Sequence, residues 1–405
     1  MRIRDFREKS FFLSVCLAAV VLLVSGFFIY KRIINPYKSR DLVRVGLILD
    51  GDQATPYSDN FYNALNEVER EYKGRVETVI KSNVTVDDEE AVIRELVFEK
   101  CDIIITNSYG FGDLAKKMAG SYPDIEFIQA TQSNANEKPV YKNYHTFMGR
   151  IYEGRYIAGQ VAGRKLKELI DQGSIRGDQA VAGYVAAYPY PEVISGFTAF
   201  YLGMKDQCKE ATMKVKYANT WTSYQKEYDL AKELIDEGCV IISQHSDTTG
   251  PAVACENSKA DHIVFHIGYN QSMTGIAPTT SLVSTRINWT PYLISAVGAV
   301  LSGHDIEDDI DGRKNGNDSG AGFDKDWVRM LALNDAYAAR GTQKMIDESI
   351  ASFKAGKMHV FSGDYKGSDS TDPSDTIDLS KSEYIENSDC SAPSFHYVID
   401  GITIG

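Results

Sequence analysis

The sequence is poor in positive charge, and this deficit excludes one broad class of partner. Lys and Arg number 43 against 56 Asp and Glu, which leaves a formal net charge of -13. No cluster of basic side chains occurs beyond the first 40 residues, whereas a nucleic-acid surface needs Lys and Arg gathered on one face. We therefore expect no nucleic-acid partner.

Motifs for catalysis and for metal binding are also missing. The chain contains no GxSxG elbow, Walker loop, GxGxxG fingerprint or HExxH pair. Its six cysteines include no CxxC pair, and no Cys/His cluster has zinc spacing. Cys208, Cys255 and Cys390 could include one disulfide in an extracytoplasmic domain. The sequence predicts a protein that is not an enzyme and that uses neither a metal nor a cofactor.

One uncharged run is long enough to cross a bilayer. Residues 11–30 carry no charge, and a helix of this length at ~1.5 Å per residue spans ~30 Å, the thickness of a hydrocarbon core. We predict a single-pass signal-anchor in the cell membrane, with residues 1–10 in the cytoplasm and residues 31–42 as an extracytoplasmic linker. The rival interpretation is a signal peptide cleaved near Val24-Ser25-Gly26, but the apolar run continues beyond that point.

After the linker, strand-like and helix-like segments alternate. Residues 43–49 form an apolar β-type run, and residues 87–99 carry apolar side chains at helical spacing. The same alternation resumes after Gly149. This pattern is typical of an α/β protein whose parallel sheet is covered on both faces. We predict two doubly wound parallel-sheet lobes with a hinge, the first from about 43–145 and 272–330 and the second from about 146–271 and 331–405.

The segment from residue 305 to residue 322 is rich in Asp, Asn and Gly. Glu307, Asp309 and Asp311 imitate the start of a calcium loop, but Glu stands at the first position, where Asp is usual. No clear helices flank the segment in the way that a calcium loop requires. We predict a solvated acidic loop.

Most apolar runs of the chain end at an aromatic residue and one or two small polar residues. In a parallel α/β sheet the carboxyl ends of the strands open on one crevice, where ligands bind. We therefore expect these side chains to form one pocket, whose stacking faces and hydrogen-bonding tips suit a flat, polar, uncharged molecule. The candidate ligand-binding residues are Asp50, Tyr57, Ser58, Ser108, Tyr109, Phe111, Tyr188, Trp221, Asp247 and Asn270.

Several segments share their order and spacing with a known family. Among them are Asn107-Ser108-Tyr109-Gly110-Phe111, Gly149-Arg150-Ile151-Tyr152-Glu153-Gly154, Asn219-Thr220-Trp221, Gln244-His245-Ser246-Asp247 and Ile287-Asn288-Trp289-Thr290-Pro291-Tyr292. In this order they resemble the basic membrane protein (BMP) family of extracytoplasmic substrate-binding proteins of ABC transporters. The resemblance covers residues 43–405 and is greatest to the branch that binds purine bases or nucleosides.

The resemblance implies a type I periplasmic-binding-protein fold that holds a purine in the cleft between its lobes. It implies that Asp247 and Asn270 bind the base or the ribose. Asn270 stands where relatives often carry Asp, and Ser58 stands where some carry Asn. Stacking aromatics are implied at Tyr57, Tyr109, Phe111 and Trp221.

The anchor and the resemblance together predict a membrane-anchored binding protein that delivers a purine nucleoside or base to ABC permease subunits. Family members are usually lipoproteins, but here Cys16 follows Val15 inside the apolar run, so we expect the membrane-spanning segment to provide the tether. Two other classes stay open. One is a ligand-sensing ectodomain that works with a separate signalling subunit, and the other is an enzyme that acts on nucleosides.

Overall fold

The computed structural model describes residues 39–405. In this part of the chain no helix is both long and apolar enough to cross a membrane. The predicted anchor at residues 11–30, the predicted cytoplasmic residues 1–10 and most of the predicted linker lie outside the described residues.

The described residues form strands and helices in regular alternation. The strands are β1 (Val43–Ile48), β2 (Val76–Lys81), β3 (Ile103–Thr106), β4 (Glu126–Ala130), β5 (Tyr144–Gly149), β6 (Val181–Ala186), β7 (Thr212–Tyr217), β8 (Ile241–His245), β9 (Phe265–Tyr269), β10 (Ser281–Ile287), β11 (Arg313–Asn315), β12 (Asp318–Ala321), β13 (Val328–Met330), β14 (Lys366–Asp369), β15 (Thr376–Asp378), β16 (Tyr397–Ile399) and β17 (Ile402–Ile404). The helices are α1 (Pro56–Glu71), α2 (Glu89–Phe98), α3 (Gly112–Ser121), α4 (Ile151–Asp171), α5 (Pro191–Gln207), α6 (Tyr224–Asp236), α7 (Gly250–Ser258), α8 (Thr290–Ser302), α9 (Ile306–Asp309) and α10 (Thr342–Lys354).

Two large sheets repeat one strand order. The first sheet is β2-β1-β3-β4-β5-β12-β11, and the second is β17-β7-β6-β8-β9-β10-β13. Each sheet contains five parallel strands, β1–β5 in the first and β6–β10 in the second. Numbered within their own sheet, these strands lie in the doubly wound order 2-1-3-4-5. Antiparallel pairs occur only at the ends of these described sheets, between β11 and β12 and between β10 and β13. The predicted pair of parallel-sheet α/β lobes is confirmed.

The chain passes between the two sheets after β5, after β10 and after β12. These positions differ from the predicted lobe boundaries. The sequence assigns residues 272–330 to the first lobe, but β10 pairs in parallel with β9 and β13 pairs with β10, so both lie in the second. Conversely, β5 lies wholly in the first sheet, beyond the predicted boundary at residue 145. Strand partners are chosen by contacts distant in sequence, which local hydrophobic patterns do not show.

Helices α4 and α5 of the second lobe meet with almost no side chain between their backbones. A Cβ atom added at Gly159 would lie 1.9 Å from the carbonyl oxygen of Phe200. One added at Gly203 would lie 2.0 Å from the carbonyl oxygen of Tyr156. Gly inside a helix costs about 1 kcal/mol relative to Ala, so the close approach of the two helices explains why Gly stands at both positions.

A buried histidine joins the first sheet to the acidic segment. His145 on β5 is fully buried and donates Nε2–H to Glu126 at 3.0 Å and Nδ1–H to Glu307 at 2.7 Å. Burial alone would lower its pKa, but the hydrogen bonds to the two carboxylates outweigh burial and raise the pKa of His145 to about 10. The charged imidazolium therefore fixes α9, which contains Glu307, against the first lobe.

The prediction of a solvated loop over residues 305–322 is wrong. The segment forms α9 and the hairpin of β11 and β12, and β12 extends the first sheet in parallel with β5. Asp318 is buried and accepts hydrogen bonds from Thr146 Oγ1 at 2.7 Å and from the backbone N–H of Ser391 at 2.6 Å. The polar residues of the segment thus bind partners far along the chain, and this cannot be read from composition.

The C-terminal part of the chain contacts both lobes. Its strands β14, β15 and β16 form a small third sheet, and β17 pairs in parallel with β7 at the end of the second sheet. On the first lobe, Asn315 Nδ2 donates to the carbonyl oxygen of Asp389 at 2.6 Å, and Arg313 donates to that of Asn387. The C-terminal residues therefore connect the two lobes in addition to the three crossovers.

The cysteines of the described region are all free thiols. Cys208 and Cys255 are buried, and Cys390 is half-buried. Burial raises the pKa of all three thiols. The disulfide considered for Cys208, Cys255 and Cys390 is not present.

The contact between α4 and α5 can be tested with Gly159→Ala. The added methyl group must separate the two backbones, so we expect a loss of about 3 kcal/mol or more in the free energy of unfolding. Urea denaturation followed by circular dichroism measures the change. Gly275→Ala is the matched control because its added Cβ has no atom within 4 Å. Equal stability of the two variants would contradict the proposed packing.

Glu89, at the start of α2, is fully buried, and its carboxylate oxygens have no hydrogen-bond partner within residues 39–405. Burial, with a smaller contribution from the carboxylate of Asp113, raises the pKa of Glu89 from 4.5 to about 8. The folded state therefore holds a proton there that the unfolded chain releases above pH 4.5. This difference makes folding weaker as the pH rises from about 4.5 to about 8.

We expect the stability of Glu89→Gln not to show this pH dependence. At pH 8 the variant should be more stable than the parent by a few kcal/mol, the free energy that corresponds to the pKa difference between the folded and unfolded parent. The measurement is the free energy of unfolding at several pH values between 4 and 9. The control is Glu90→Gln, since Glu90 is partly exposed and paired with Arg94. A parallel pH profile for the parent and Glu89→Gln would show that Glu89 ionises normally.

Candidate functional site

The carboxyl ends of the two parallel sheets face each other across a cleft. A cavity of about 20 Å³ lies there, far below the ~300 Å³ of the smallest usual ligand pockets, so the cleft is contracted in this structure. Each lobe contributes five of the residues that line it, so a ligand here would touch both lobes. The lining residues are Asp50, Tyr57, Ser108, Tyr109 and Thr131 of the first lobe and Glu192, Trp221, His245, Asp247 and Tyr269 of the second.

The lining residues enter the cavity from strand ends and from helix starts. Thr131 follows β4, and His245 is the last residue of β8. Tyr57 and Glu192 lie in the first turns of α1 and α5, and both helices begin with Pro. Pro fixes a backbone angle that suits the first helical position and has no N–H to leave unpaired there. The local sequence therefore determines where these two side chains leave the helix.

Buried Asn107 organises the wall contributed by the first lobe. Its Oδ1 accepts the backbone N–H of Asp50 at 3.1 Å, and its Nδ2 donates to the Asp50 carboxylate at 3.1 Å. Its carbonyl oxygen accepts the hydroxyl of Tyr57 at 2.6 Å. Asp50 and Tyr57, both predicted site residues, are thus held in position before any ligand arrives.

Asn270 lies behind the cavity and connects the two lobes. Its Nδ2 donates to Asp247 at 3.0 Å, and its Oδ1 accepts a hydrogen bond of 3.3 Å from Asn60 on α1. Asn270 has a left-handed backbone with φ of +67°, a conformation that Asn tolerates better than most residues. The structure therefore places Asn270 as the support of Asp247, whereas Asp247 itself lines the cavity.

Two predicted site residues lie in the interior, away from the cavity. Ser58 is fully buried on α1, with its hydroxyl 3.5 Å from Asn107 Nδ2. Phe111 is 1% exposed and packs in the core of the first lobe. Successive residues of a helix point about 100° apart because a turn contains 3.6 residues, so Tyr57 faces the cavity and Ser58 does not. Tyr109 and Phe111 lie two residues apart in a short 3₁₀ helix, whose three residues per turn also direct their side chains to different sides.

Aromatic rings form a continuous row beside the cavity. Tyr188, a predicted site residue, stacks on Tyr190 with ring centres 5.2 Å apart and meets the edge of Trp221 at 5.5 Å. Tyr190 also stacks on Tyr109 of the opposite lobe at 5.4 Å. Tyr188 therefore flanks the cavity but does not line it, and Tyr190, which the sequence did not single out, bridges the two lobes.

Four lining residues are absent from the predicted set. Thr131, His245 and Tyr269 stand at strand ends, so the rule that found Ser108 and Asp247 would have included them. Glu192 lies in a first helical turn, a position that the strand-end rule does not cover. Ser108, Tyr109, Trp221 and Asp247 are the remaining predicted residues that line the cavity, with Asp50 and Tyr57.

The ten lining residues include three carboxyl groups. None of the ten lining residues is Lys or Arg. The Arg155 guanidinium lies behind Tyr269, 3.7 Å from the centre of its ring, and donates to the carbonyl oxygen of Gln244 at 2.7 Å. It thereby stabilises the wall through a cation–π contact and leaves the cavity surface to acidic and neutral groups.

The pKa values of the three lining carboxyl groups and of His245 are shifted from their usual values. Burial raises the pKa of Asp50, and burial with the nearby carboxylates of Asp50, Glu227 and Glu192 raises the pKa of Asp247 well above its usual value. Burial raises the pKa of Glu192 to about 7, against a smaller opposing effect of Arg155. Burial and then Arg155 lower the pKa of His245 well below its usual value. His245 is therefore neutral at physiological pH.

Within residues 39–405, one group of three side chains consists of residue types that bind metal ions and lies close together. The group is Asp369, Asp375 and His396, whose ligand atoms lie within 4.8 Å of one another. His396 Nε2 lies 3.2 Å from Asp375, and its Nδ1 donates to the carbonyl oxygen of Ser394 at 2.9 Å. Burial opposes the charge on His396, but these hydrogen bonds raise its pKa. An ion pair between protonated His396 and the carboxylates accounts for the cluster.

Comparison with known proteins agrees with this architecture. A family model described as "ABC transporter substrate-binding protein PnrA-like" (Bmp) matches residues 42–354. The chain belongs to this family. The BMP match confirms the resemblance found in the sequence, and it ends before the C-terminal segment that connects the two lobes.

Curated relatives of this BMP-family protein differ in the ligands that their names give. A purine-binding protein of Brucella abortus is 28% identical over 357 residues, which cover 87% of this chain and 91% of the relative. A putative ABC transporter glucose-binding protein of Haloferax volcanii is 30% identical over 275 residues, which cover 67% of this chain and 64% of the relative.

Solved structures confirm the fold of this BMP-family chain. A solute-binding protein of an ABC transporter system from Aeropyrum pernix matches with a TM-score of 0.63 at 13% identity, over 78% of this chain and 92% of the other. A similar protein from Conexibacter woesei matches with a TM-score of 0.59 at 16% identity, over 78% and 98%. At these identities the likeness concerns the fold.

The ionisation of Glu192 can be measured directly. We expect its carboxyl carbon to titrate with a midpoint of about 7, because burial raises the pKa and disfavours the charged form. Carbon NMR of protein labelled at Glu side chains gives the titration, and Glu192→Gln identifies the signal by its loss. Glu90 is the internal control, since its hydrogen bond to Arg94 lowers its pKa. A Glu192 midpoint near 4.5 would show that water reaches the carboxylate freely.

Proposed function

We propose that this chain is a membrane-anchored, extracytoplasmic binding protein of an ABC importer that encloses a purine base or nucleoside between its lobes. Residues 11–30 serve as the anchor in this proposal, and ABC permease subunits receive the ligand. The observation that carries the proposal is the composition of the cavity. It combines acidic and neutral hydrogen-bonding groups with four aromatic residues, Tyr57, Tyr109, Trp221 and Tyr269.

This composition favours a particular ligand chemistry. Aromatic rings stack on flat rings, and carboxylates accept hydrogen bonds from N–H groups. A phosphate or carboxylate on the ligand would find no cationic partner, since none of the ten lining residues is Lys or Arg, and any ionised lining carboxylate would repel it. The site therefore suits a neutral heterocycle with several N–H donors. The purine-binding relative from Brucella abortus supports the same choice.

A sugar is the second candidate. The Haloferax volcanii relative named as a putative glucose-binding protein favours it. Aromatic faces and carboxylates also suit the apolar face and the hydroxyl groups of a sugar. The ligand panel must therefore contain both classes.

Binding requires the contracted cleft to open. The rings of Tyr109 and Tyr190 stack across it, and Asn60 and Asn270 are hydrogen-bonded behind it. A ligand that enters must part the two rings and then replace their contact with its own stacking surface. The three crossovers and the C-terminal segment join the lobes, so we expect the movement to be of the hinge type.

We expect Trp221→Ala to weaken purine binding by roughly tenfold or more, because base–aromatic stacking contributes ~1–3 kcal/mol per ring. Calorimetry of the full-length protein in detergent, with adenine, guanosine, inosine and glucose as ligands, gives the dissociation constants. Phe98→Ala is the control, since Phe98 is an aromatic residue 87% exposed at the end of α2.

Mass spectrometry of ligand released from the purified protein provides an independent measurement. Purine in the released material, together with a loss of affinity in Trp221→Ala but not in Phe98→Ala, is the expected result. Tight binding of glucose with no heat from any purine would replace the purine proposal with the sugar one. An unchanged purine dissociation constant in Trp221→Ala would remove Trp221 from the site.

A further inference from the structure

Several polar side chains of the cavity make no hydrogen bond to the described part of the chain, and three of them are connected through shared cavities and a short contact. They are Thr131 of the first lobe and Glu192 and His245 of the second. Thr131 and Glu192 line both the main cavity and an adjoining one of about 190 Å³. Glu192 in turn lies 3.5 Å from His245. The three groups therefore form one continuous polar patch that crosses from lobe to lobe, which we call the polar trio.

Thr131 combines an unpaired hydroxyl with an unfavourable backbone. It is 6% exposed, and its Oγ1 has no partner among residues 39–405. Its φ is +68°, in the left-handed region that β-branched residues rarely adopt. Gly or Asn would fit this backbone with less strain, so the fold alone does not call for Thr. Strain of this kind collects at binding sites, where a side chain must point at a ligand.

His245 is the second unsatisfied group. It is 2% exposed, and neither ring nitrogen has a hydrogen-bond partner within the described residues. A neutral imidazole carries one N–H donor and one acceptor. Leaving both unmet in the interior is unfavourable. Nδ1 faces Gly196 of α5, so Nε2, beside Glu192, is the nitrogen that is suited to a ligand in the cavity.

Glu192 is the third. Its side chain is 14% exposed, and its carboxylate approaches His245 Nε2 without the geometry of a hydrogen bond. By contrast, Asp50 and Asp247 each bind an Asn side chain, Asn107 and Asn270 respectively. Glu192 is therefore the lining carboxylate left open to a ligand. An ionised carboxylate can accept two parallel N–H bonds from one partner.

From this geometry we infer that the polar trio binds the hydrogen-bonding edge of the base. Glu192 accepts hydrogen bonds from two adjacent N–H groups, such as the ring imino and amino groups of guanine. The inference rests on the proposed purine function and adds a specificity to it. Guanine presents such a pair of donors, hypoxanthine presents the ring imino group alone, and adenine presents an acceptor beside its amino group. The ionised carboxylate therefore favours guanine over hypoxanthine, and hypoxanthine over adenine.

The test compares guanosine, inosine and adenosine by calorimetry at pH 8 with the full-length protein in detergent. We expect guanosine to bind at least tenfold more tightly than adenosine, with inosine between them. Glu192→Gln replaces one acceptor by an N–H donor, so we expect guanosine to lose at least tenfold in affinity while adenosine keeps or gains affinity. Thr131→Val keeps the β-branched shape but removes the hydroxyl, and we expect it to weaken binding several-fold.

Two matched controls make the outcome decisive. Glu348→Gln changes an exposed carboxylate on α10 and should leave all three dissociation constants unchanged. Thermal melting of every variant shows whether it is folded. If the parent binds purines but Glu192→Gln leaves the ratio of guanosine to adenosine affinity unchanged, the inference is wrong and the proposed function stands. If the parent binds none of the purines, both are wrong.

Discussion

The close contact between α4 and α5 is the constraint on which the binding cleft depends. Gly159 and Gly203 allow the two backbones to meet directly. Helix α4 begins just after the first crossover and carries Arg155 beneath Tyr269, and α5 begins with the turn that carries Glu192. Because packed helices cannot shift without opening voids or clashing, this contact fixes the hinge, the buried cation and the cavity carboxylate relative to one another.

Contacts across the cleft are of a different kind. Asn60 and Asn270 share one hydrogen bond, and Tyr109 and Tyr190 share one stacked ring pair. Each contact contributes only about 0.5–1.5 kcal/mol. Arg286 Nη1 of the second lobe also donates to Asn60 Oδ1, at 3.3 Å. Contacts of this strength can be replaced by those of a ligand. The same doubly wound strand order, repeated in each lobe, places the carboxyl ends of the parallel strands on this boundary.

Several energetically unfavourable features of the structure lie at the cavity. Carboxyl groups are buried there without a cation in contact, and their pKa values rise as a result. Thr131 is strained, and His245 has two unpaired ring nitrogens within the described residues. Elsewhere, His145 is paired with Glu126 and Glu307, whereas Glu89 is a buried carboxyl group without a hydrogen-bond partner in the described residues. Unfavourable local features are expected at functional sites, where a ligand can complete unpaired groups.

The sequence by itself determined the two-lobed α/β class and the strand-end position of the site, because hydrophobic periodicity and strand ends are local features. Asp50, Tyr57 and Asp247, three of the residues that it nominated, line the cavity. Tertiary structure alone decided the lobe of β10, the burial of Ser58 and Phe111, and the convergence of Thr131, Glu192 and His245. These outcomes depend on strand pairing, helix rotation and contacts between residues far apart in the chain, which no local pattern records.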